Sequence, residues 1–141
     1  MGEARQVMDR ITEVAFGGDQ EALKRLYATD AVAETPDQGT LNGPEAIAAW
    51  FGQFSTAIPD ASWESLAKYD AGNVAIDEGY VVGTNTGPLE APNGESIPAT
   101  GKSVRVRGCD VATIENGVVK SHHFYFDQME FFGQLGLAPD A

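Results

Sequence analysis

The chain has 141 residues, 43% of them hydrophobic and 21% charged, a size and composition that fit one globular domain over 1–141 with room for a buried core. Its formal net charge of −12 opposes binding to nucleic acid or to an anionic membrane surface, since both need clustered Lys and Arg. The single cysteine, Cys109, cannot form an internal disulfide, and neither a basic-then-apolar leader nor an apolar run of about 20 residues appears, so a cytoplasmic protein is expected.

From about residue 3, Val7, Ile11, Val14 and Ala15 follow helical spacing, and Gly17-Gly18 supplies a stop. Asp19 caps a second, short helix whose apolar face is Leu23, Leu26 and Tyr27 and which should end near Thr29-Asp30. Residues 31–35 read as a short extended piece, broken by Pro36 and Gly39. A third helix opens at Gly43-Pro44, with Pro at its first position and Ile47, Trp50, Phe51, Phe54 and Ile58 on its buried face. After Pro59 the pattern changes to strands, expected at 62–69, 74–84, 103–115 and 118–127. Asn116-Gly117 joins the last two in a tight type I′ hairpin. The stretch 83–102 carries Pro88, Pro92 and Pro98, which exclude a central strand and suggest a long rim-forming loop. A short final helix is expected over 128–137, packing Met129, Phe132 and Leu135. Helices followed by an antiparallel meander imply an α+β domain, with a curved sheet around the helices and a concavity between them.

Chemistry concentrates on the last two strands. Val104, Val106, Gly108, Asp110, Ala112 and Ile114 share one face by the period of two, so an acid sits on the apolar side of its strand. A carboxyl group there must be protonated, hydrogen-bonded or facing a pocket filled by a ligand. Asp127, Tyr125 and His123 share a face of the following strand, and two acids near a His and a Tyr suit acid-base chemistry. Asp127 also fits as the N-cap of the last helix, a role that does not exclude catalysis. His122 and His123 point to opposite faces, so one of them alone can meet a pocket. With Cys109 they do not make a zinc ligand set, and no metal is expected. Trp50, Phe54 and Trp63 read as core residues that also line the concavity.

The order of elements, the phrase Asn42-Gly43-Pro44-Glu45-Ala46-Ile47, the segment Gly83-Thr84-Asn85-Thr86-Gly87, the stretch Pro98-Ala99-Thr100-Gly101-Lys102, and the ending Tyr125-Phe126-Asp127 with Gln134-Leu135-Gly136-Leu137 resemble the SnoaL-like polyketide cyclases. These belong to the nuclear transport factor 2-like superfamily of conical α+β barrels. The resemblance implies intramolecular aldol closure without metal or other cofactor, with Asp127 as general acid/base. It places Asn85 where a His is usual, leaving an amide to contact substrate. Ketosteroid isomerases share the fold, and their neutral oxyanion-hole acid matches Asp110. Their base position matches Thr35 and their oxyanion tyrosine matches Ile11, which disfavours standard steroid isomerisation. The ending also resembles limonene epoxide hydrolases, yet their Arg and Asp fall near Gly83 and Asn85, where this chain has no charge.

The reading is therefore a cofactor-free acid-base enzyme for a hydrophobic, carbonyl-containing small molecule. In it Asp127 moves a proton alpha to the carbonyl, Asp110 donates to the enolate oxygen, His123 and Tyr125 orient Asp127, and Asn85, Trp50, Phe54 and Trp63 contact substrate. The alternatives are an epoxide hydrolase of the limonene type, or a non-catalytic small-molecule-binding or interaction module of the same fold. The mixed outer face of the sheet, with Val111 beside Arg105, Arg107 and Thr113, suggests a two-fold homodimer in which an arginine meets an acid of the second copy.

Overall fold

The structure, a computed structural model, describes residues 2–91 and 94–137. In chain order it contains α1 (Glu3–Phe16), α2 (Gln20–Arg25), β1 (Tyr27–Thr35), β2 (Gly39–Asn42), α3 (Gly43–Ala57), β3 (Ser62–Ala71), β4 (Val74–Thr84), β5 (Leu89–Glu90), β6 (Ser96–Ile97), β7 (Ser103–Glu115), β8 (Val118–Phe126) and α4 (Gln128–Gln134). Six strands form one curved sheet in the order β2-β1-β8-β7-β4-β3, and β5 pairs with β6 in a separate hairpin. The α+β class expected from the sequence is present, with two corrections. The sheet is mixed, because β1 runs parallel to β8 while every other neighbouring pair is antiparallel. It also stays open, with β2 and β3 as free edges.

Local chemistry explains most boundaries. Asp19 accepts from the Ala22 N–H and caps α2, and α3 starts with Pro44 in its first turn. Asn116 (φ 53°) and Gly117 (φ 79°) both take positive φ, as the type I′ turn requires. The second helix, by contrast, stops at Arg25, four residues early, and Tyr27 belongs to β1 instead of the helix face. Six residues hold too few helical hydrogen bonds to carry a Tyr-Ala-Thr run that favours extended backbone. The Leu26 carbonyl is taken by the Val119 N–H, drawing the chain onto β8. Two further corrections concern small elements. Gly39–Asn42 forms an edge strand where a break was expected, and the rim 83–102 carries the β5–β6 hairpin. In α4 the buried residue is Phe131, with Leu135 at its end, whereas Met129 is 61% exposed.

The core lies between the helices and the concave face of the sheet. Met8, Ile11, Leu23, Ile47, Trp50, Ala112, Val119 and Phe124 form one buried cluster. Ala57, Ile58, Leu89, Val104, Val106, Phe131 and Leu135 close the far end. No helix among the described residues is long and apolar enough to cross a membrane.

Candidate active site

Between α1, α3 and the sheet lies a cavity of about 240 Å³, walled by Phe16, Trp50, Phe51, Phe54, Trp63, Val104, Val106, Phe124 and Phe126 among others. Its aromatic wall is tightly knit: Trp50 and Phe124 have ring centroids 4.5 Å apart, and Trp50 and Phe54 meet edge-on at 5.0 Å. Among the described residues, Asp110 is the one carboxylate on that wall. The inward parity read from β7 holds, with Val104, Val106, Ala112 and Ile114 buried on the same side.

Asp110 is not alone behind the wall. Its Oδ2 lies 2.7 Å from His122 Nε2, and His122 Nδ1 lies 2.7 Å from the Tyr27 hydroxyl. His122 is fully buried, stacked on Phe124 at 3.9 Å, and Tyr27 is 4% exposed. Proton placement follows from hydrogen-bond arithmetic. The buried Tyr27 hydroxyl has His122 Nδ1 as its partner among the described residues, so the phenol donates and Nδ1 accepts. His122 Nε2 then carries the ring proton and donates to Asp110. Burial, joined by the charge of Asp110, pushes the Tyr27 phenol well above its ordinary value, which keeps that proton on oxygen. The chain Tyr27–His122–Asp110 thus delivers a fixed donor to one carboxylate oxygen while the carboxyl group stays open to the cavity.

The other expected site residues fall elsewhere. His123 lies on the exposed outer face of β8, because its parity is that of Tyr125, not of Phe124 and Phe126, and so His122 is the imidazole on the concave side, buried behind the cavity wall. Tyr125 borders the cavity at its own position, but its ring is 55% exposed and its hydroxyl points to His123 at 3.4 Å. Asp127 is exposed and accepts from the Glu130 N–H as the N-cap of α4, outside the cavity wall. Asn85 is 1% exposed and fully committed: its amide nitrogen donates to the Ala57 and Gly87 carbonyls, and its oxygen accepts from the Thr100 N–H and hydroxyl. It locks the rim instead of facing substrate. Trp50, Phe54 and Trp63 do line the cavity. The Trp50 N–H donates to Asp37 at 3.0 Å. The Trp63 indole lies flat over two cross-strand glycines, where a Cβ on Gly79 would sit 2.8 Å and one on Gly108 3.4 Å from its ring. Its N–H is buried without a hydrogen-bond partner among the described residues.

Sequence reading missed two residues, Tyr27 and Asp77. Asp77 faces Asp110 across the β4–β7 ladder, 1% exposed and ion-paired to Arg5. Burial pushes the Asp77 carboxyl up, the Arg5 hydrogen bond opposes this, and the charge of Asp110 adds to it. Cys109 has its thiol raised by burial and then by Asp110, which disfavours a thiolate there. Arg105 and Arg107, expected to reach a second copy, pair within the chain with Glu64 and Glu130, and Arg105 also stacks over Tyr80 at 3.7 Å.

Comparison with known proteins agrees with this architecture. A SnoaL-like polyketide cyclase, so proposed, from Jannaschia sp. CCS1 superposes with a TM-score of 0.84 at 15% identity, over 98% of this chain and 94% of that one. IdmH from Streptomyces antibioticus, also a proposed polyketide cyclase, gives 0.80 at 20% identity, over 96% and 99%. A protein of ketosteroid isomerase-like fold from Catenulispora acidiphila, solved with trimethylamine, gives 0.76 at 19% identity, over 94% and 93%. Comparison with curated proteins returns no match. The SnoaL-like domain model matches residues 5–122, most of the chain and nearly all of the cavity's walls, and the protein belongs to the SnoaL-like family.

Proposed function

We propose that the protein is a cofactor-independent acid-base enzyme acting on a hydrophobic, carbonyl-containing small molecule, with Asp110 as the group that moves the proton. The observation that carries this reading is a carboxylate, the one among the described residues that lines the apolar cavity, standing at the end of the Tyr27–His122–Asp110 chain. Asp110 takes a proton from the carbon alpha to the carbonyl. The C–H electron pair becomes part of a carbon–carbon double bond, and the carbonyl electrons move to oxygen, giving an enolate. Attack of the enolate carbon on a second carbonyl of the same molecule forms the new C–C bond of a ring while that carbonyl's π electrons pass to its oxygen, and the alkoxide takes the proton back from Asp110. In a β,γ-unsaturated ketone the enolate is a dienolate, and return of the proton from Asp110 to its γ carbon migrates the double bond into conjugation. His122 holds Asp110 in place through Oδ2, which leaves the other oxygen for the substrate. The Thr12 and Ser55 hydroxyls are spent on the Met8 and Phe51 carbonyls, which leaves Asp110 as the polar group that meets the substrate. The test is turnover of a panel of hydrophobic diketones by wild type, Asp110→Asn and Asp127→Asn. Loss in the first variant alone supports the reading, and equal retention in both contradicts it.

A second reading is favoured by the same aromatic wall. Rings around one carboxylate suit a small organic cation held by cation–π attraction, and the Catenulispora protein was solved with trimethylamine. Tight calorimetric binding of trimethylammonium with no turnover of any carbonyl compound would favour a binding module. We further propose a cytoplasmic homodimer through the outer sheet face, where Tyr69, Ile76, Val111 and His123 form one row across four strands.

A further inference from the structure

We propose that the buried Arg5–Asp77 ion pair is a positioning element of the acid-base site, setting the charge that Asp110 faces from the neighbouring strand. This rests on the reading of Asp110 as the proton-moving group. Asp77 is the direct cross-strand partner of Asp110, and both lie on the concave face. Arg5 descends on Asp77 from the first turn of α1, itself only 5% exposed, and also holds Asp9. Lys68, the cross-strand partner of Asp77 on β3, reaches the same Asp9 oxygen at 2.9 Å. Asp110 is thus met directly by His122 from β8, with Tyr27 of β1 behind it, and faces Asp77 of β4, which Arg5 and Asp9 of α1 and Lys68 of β3 back in turn; Glu78 and Cys109 have the outward parity, and α3 brings aromatic rings.

Packing needs do not account for this arrangement. A buried ion pair is commonly no better for stability than apolar residues of the same volume, and a second carboxylate beside Asp110 adds repulsion. Arg5 Nη1 is moreover buried without a hydrogen-bond partner among the described residues, a cost that an apolar substitute would avoid. What the pair supplies is a defined local field. The two carboxylates stand directly across the β4–β7 ladder, so each sits in the field of the other, and the charge of Asp110 helps to raise the Asp77 carboxyl. The Arg5 cation acts in the opposite sense. Asp77 does not line the cavity, so it acts through Asp110 and not on substrate.

The test follows the carboxyl carbon of Asp110 and the ring nitrogens of His122 by NMR across pH in the folded full chain, with no substrate present. Asp77→Asn is expected to lower the pH at which the Asp110–His122 pair takes up its proton, and Arg5→Gln to raise it, each by about one unit or less. The double variant removes both charges and should return the midpoint toward wild type. If Arg5→Gln does not fold, Asp77→Asn and the double variant carry the comparison. Midpoints that do not move, that move in the same direction, or that move furthest in the double variant overturn the proposal. Opposed shifts in a protein that turns over no carbonyl compound would uphold this inference and count against the acid-base reading alone.

Discussion

Replacing Asp110 by Asn preserves size but puts either an amide nitrogen or an uncharged oxygen against the His122 N–H, and it removes the proton acceptor from the cavity. Turnover should fall by roughly 10²-fold or more while circular dichroism stays native. Asp127→Asn, at an exposed helix cap that Asn fills equally well, should leave turnover within about two-fold, and Asp127→Ala should cost about 1 kcal/mol in denaturant melts. Tyr27→Phe strips the donor from a buried His122 nitrogen and should cost roughly 1–3 kcal/mol, read in the same melts. Asp77 gives a pH signature with a definite sign. Its carboxyl is raised in the folded chain, so the folded state is favoured while the proton is on, below the ordinary value of 3.8, and that contribution is lost as pH rises through the folded value. The stability of wild type relative to Asp77→Asn should therefore decline as pH rises from the acid side, as thermal melts at stepped pH will report. Asp110 was legible in the sequence because an acid breaking an apolar parity is a local signal. The same rule, applied to β8, selects His122, which shares parity with Phe124 and Phe126; the parity shared with Tyr125 and Asp127 pointed to His123 instead. Asn85 and Asp77 gave no such signal, since Thr100, which binds the Asn85 oxygen, lies 15 residues away in sequence and Arg5, which binds Asp77, lies 72 away.

Helix starts and turns were legible wherever a residue has one backbone habit. Pro44 opened α3, Asp19 capped α2 and Asn116-Gly117 turned β7 into β8. Gly117→Ala should destabilise the protein by about 1 kcal/mol, since its φ of 79° strains an L side chain, and melts will measure this directly. β1 was not legible over its full length. Its identity comes from parallel pairing with β8, about ninety residues away, and no local pattern in Tyr-Ala-Thr-Asp announces that partner. That boundary matters, because a helical Tyr27 would not reach His122. The rim behaves likewise: Asn85 joins the end of α3, the 85–87 turn and Thr100 through four hydrogen bonds, so Asn85→Ala should loosen the cavity's edge and cost about 2–3 kcal/mol.

For the whole molecule, the class of fold followed from helices preceding strands, whereas the open edges and mixed direction of the sheet depend on long-range pairing. With Arg105 and Arg107 engaged inside the chain, a dimer through the outer face would rest on the Tyr69–Val111–His123 row. Light scattering at micromolar concentration should give about twice 15.0 kDa, and Val111→Glu should halve it without altering the cavity. The molecule's central feature remains an apolar cavity around one supported carboxylate, and deuterium exchange reads its chemistry without knowledge of the natural substrate. With 2-tetralone as a hydrophobic ketone probe in D₂O, and its binding followed by tryptophan fluorescence, wild type should exchange the hydrogens alpha to the carbonyl faster than buffer does. Asp110→Asn should bind the probe and exchange it at the buffer rate. Exchange by bound wild type no faster than buffer, or exchange unchanged in Asp110→Asn, would contradict the account.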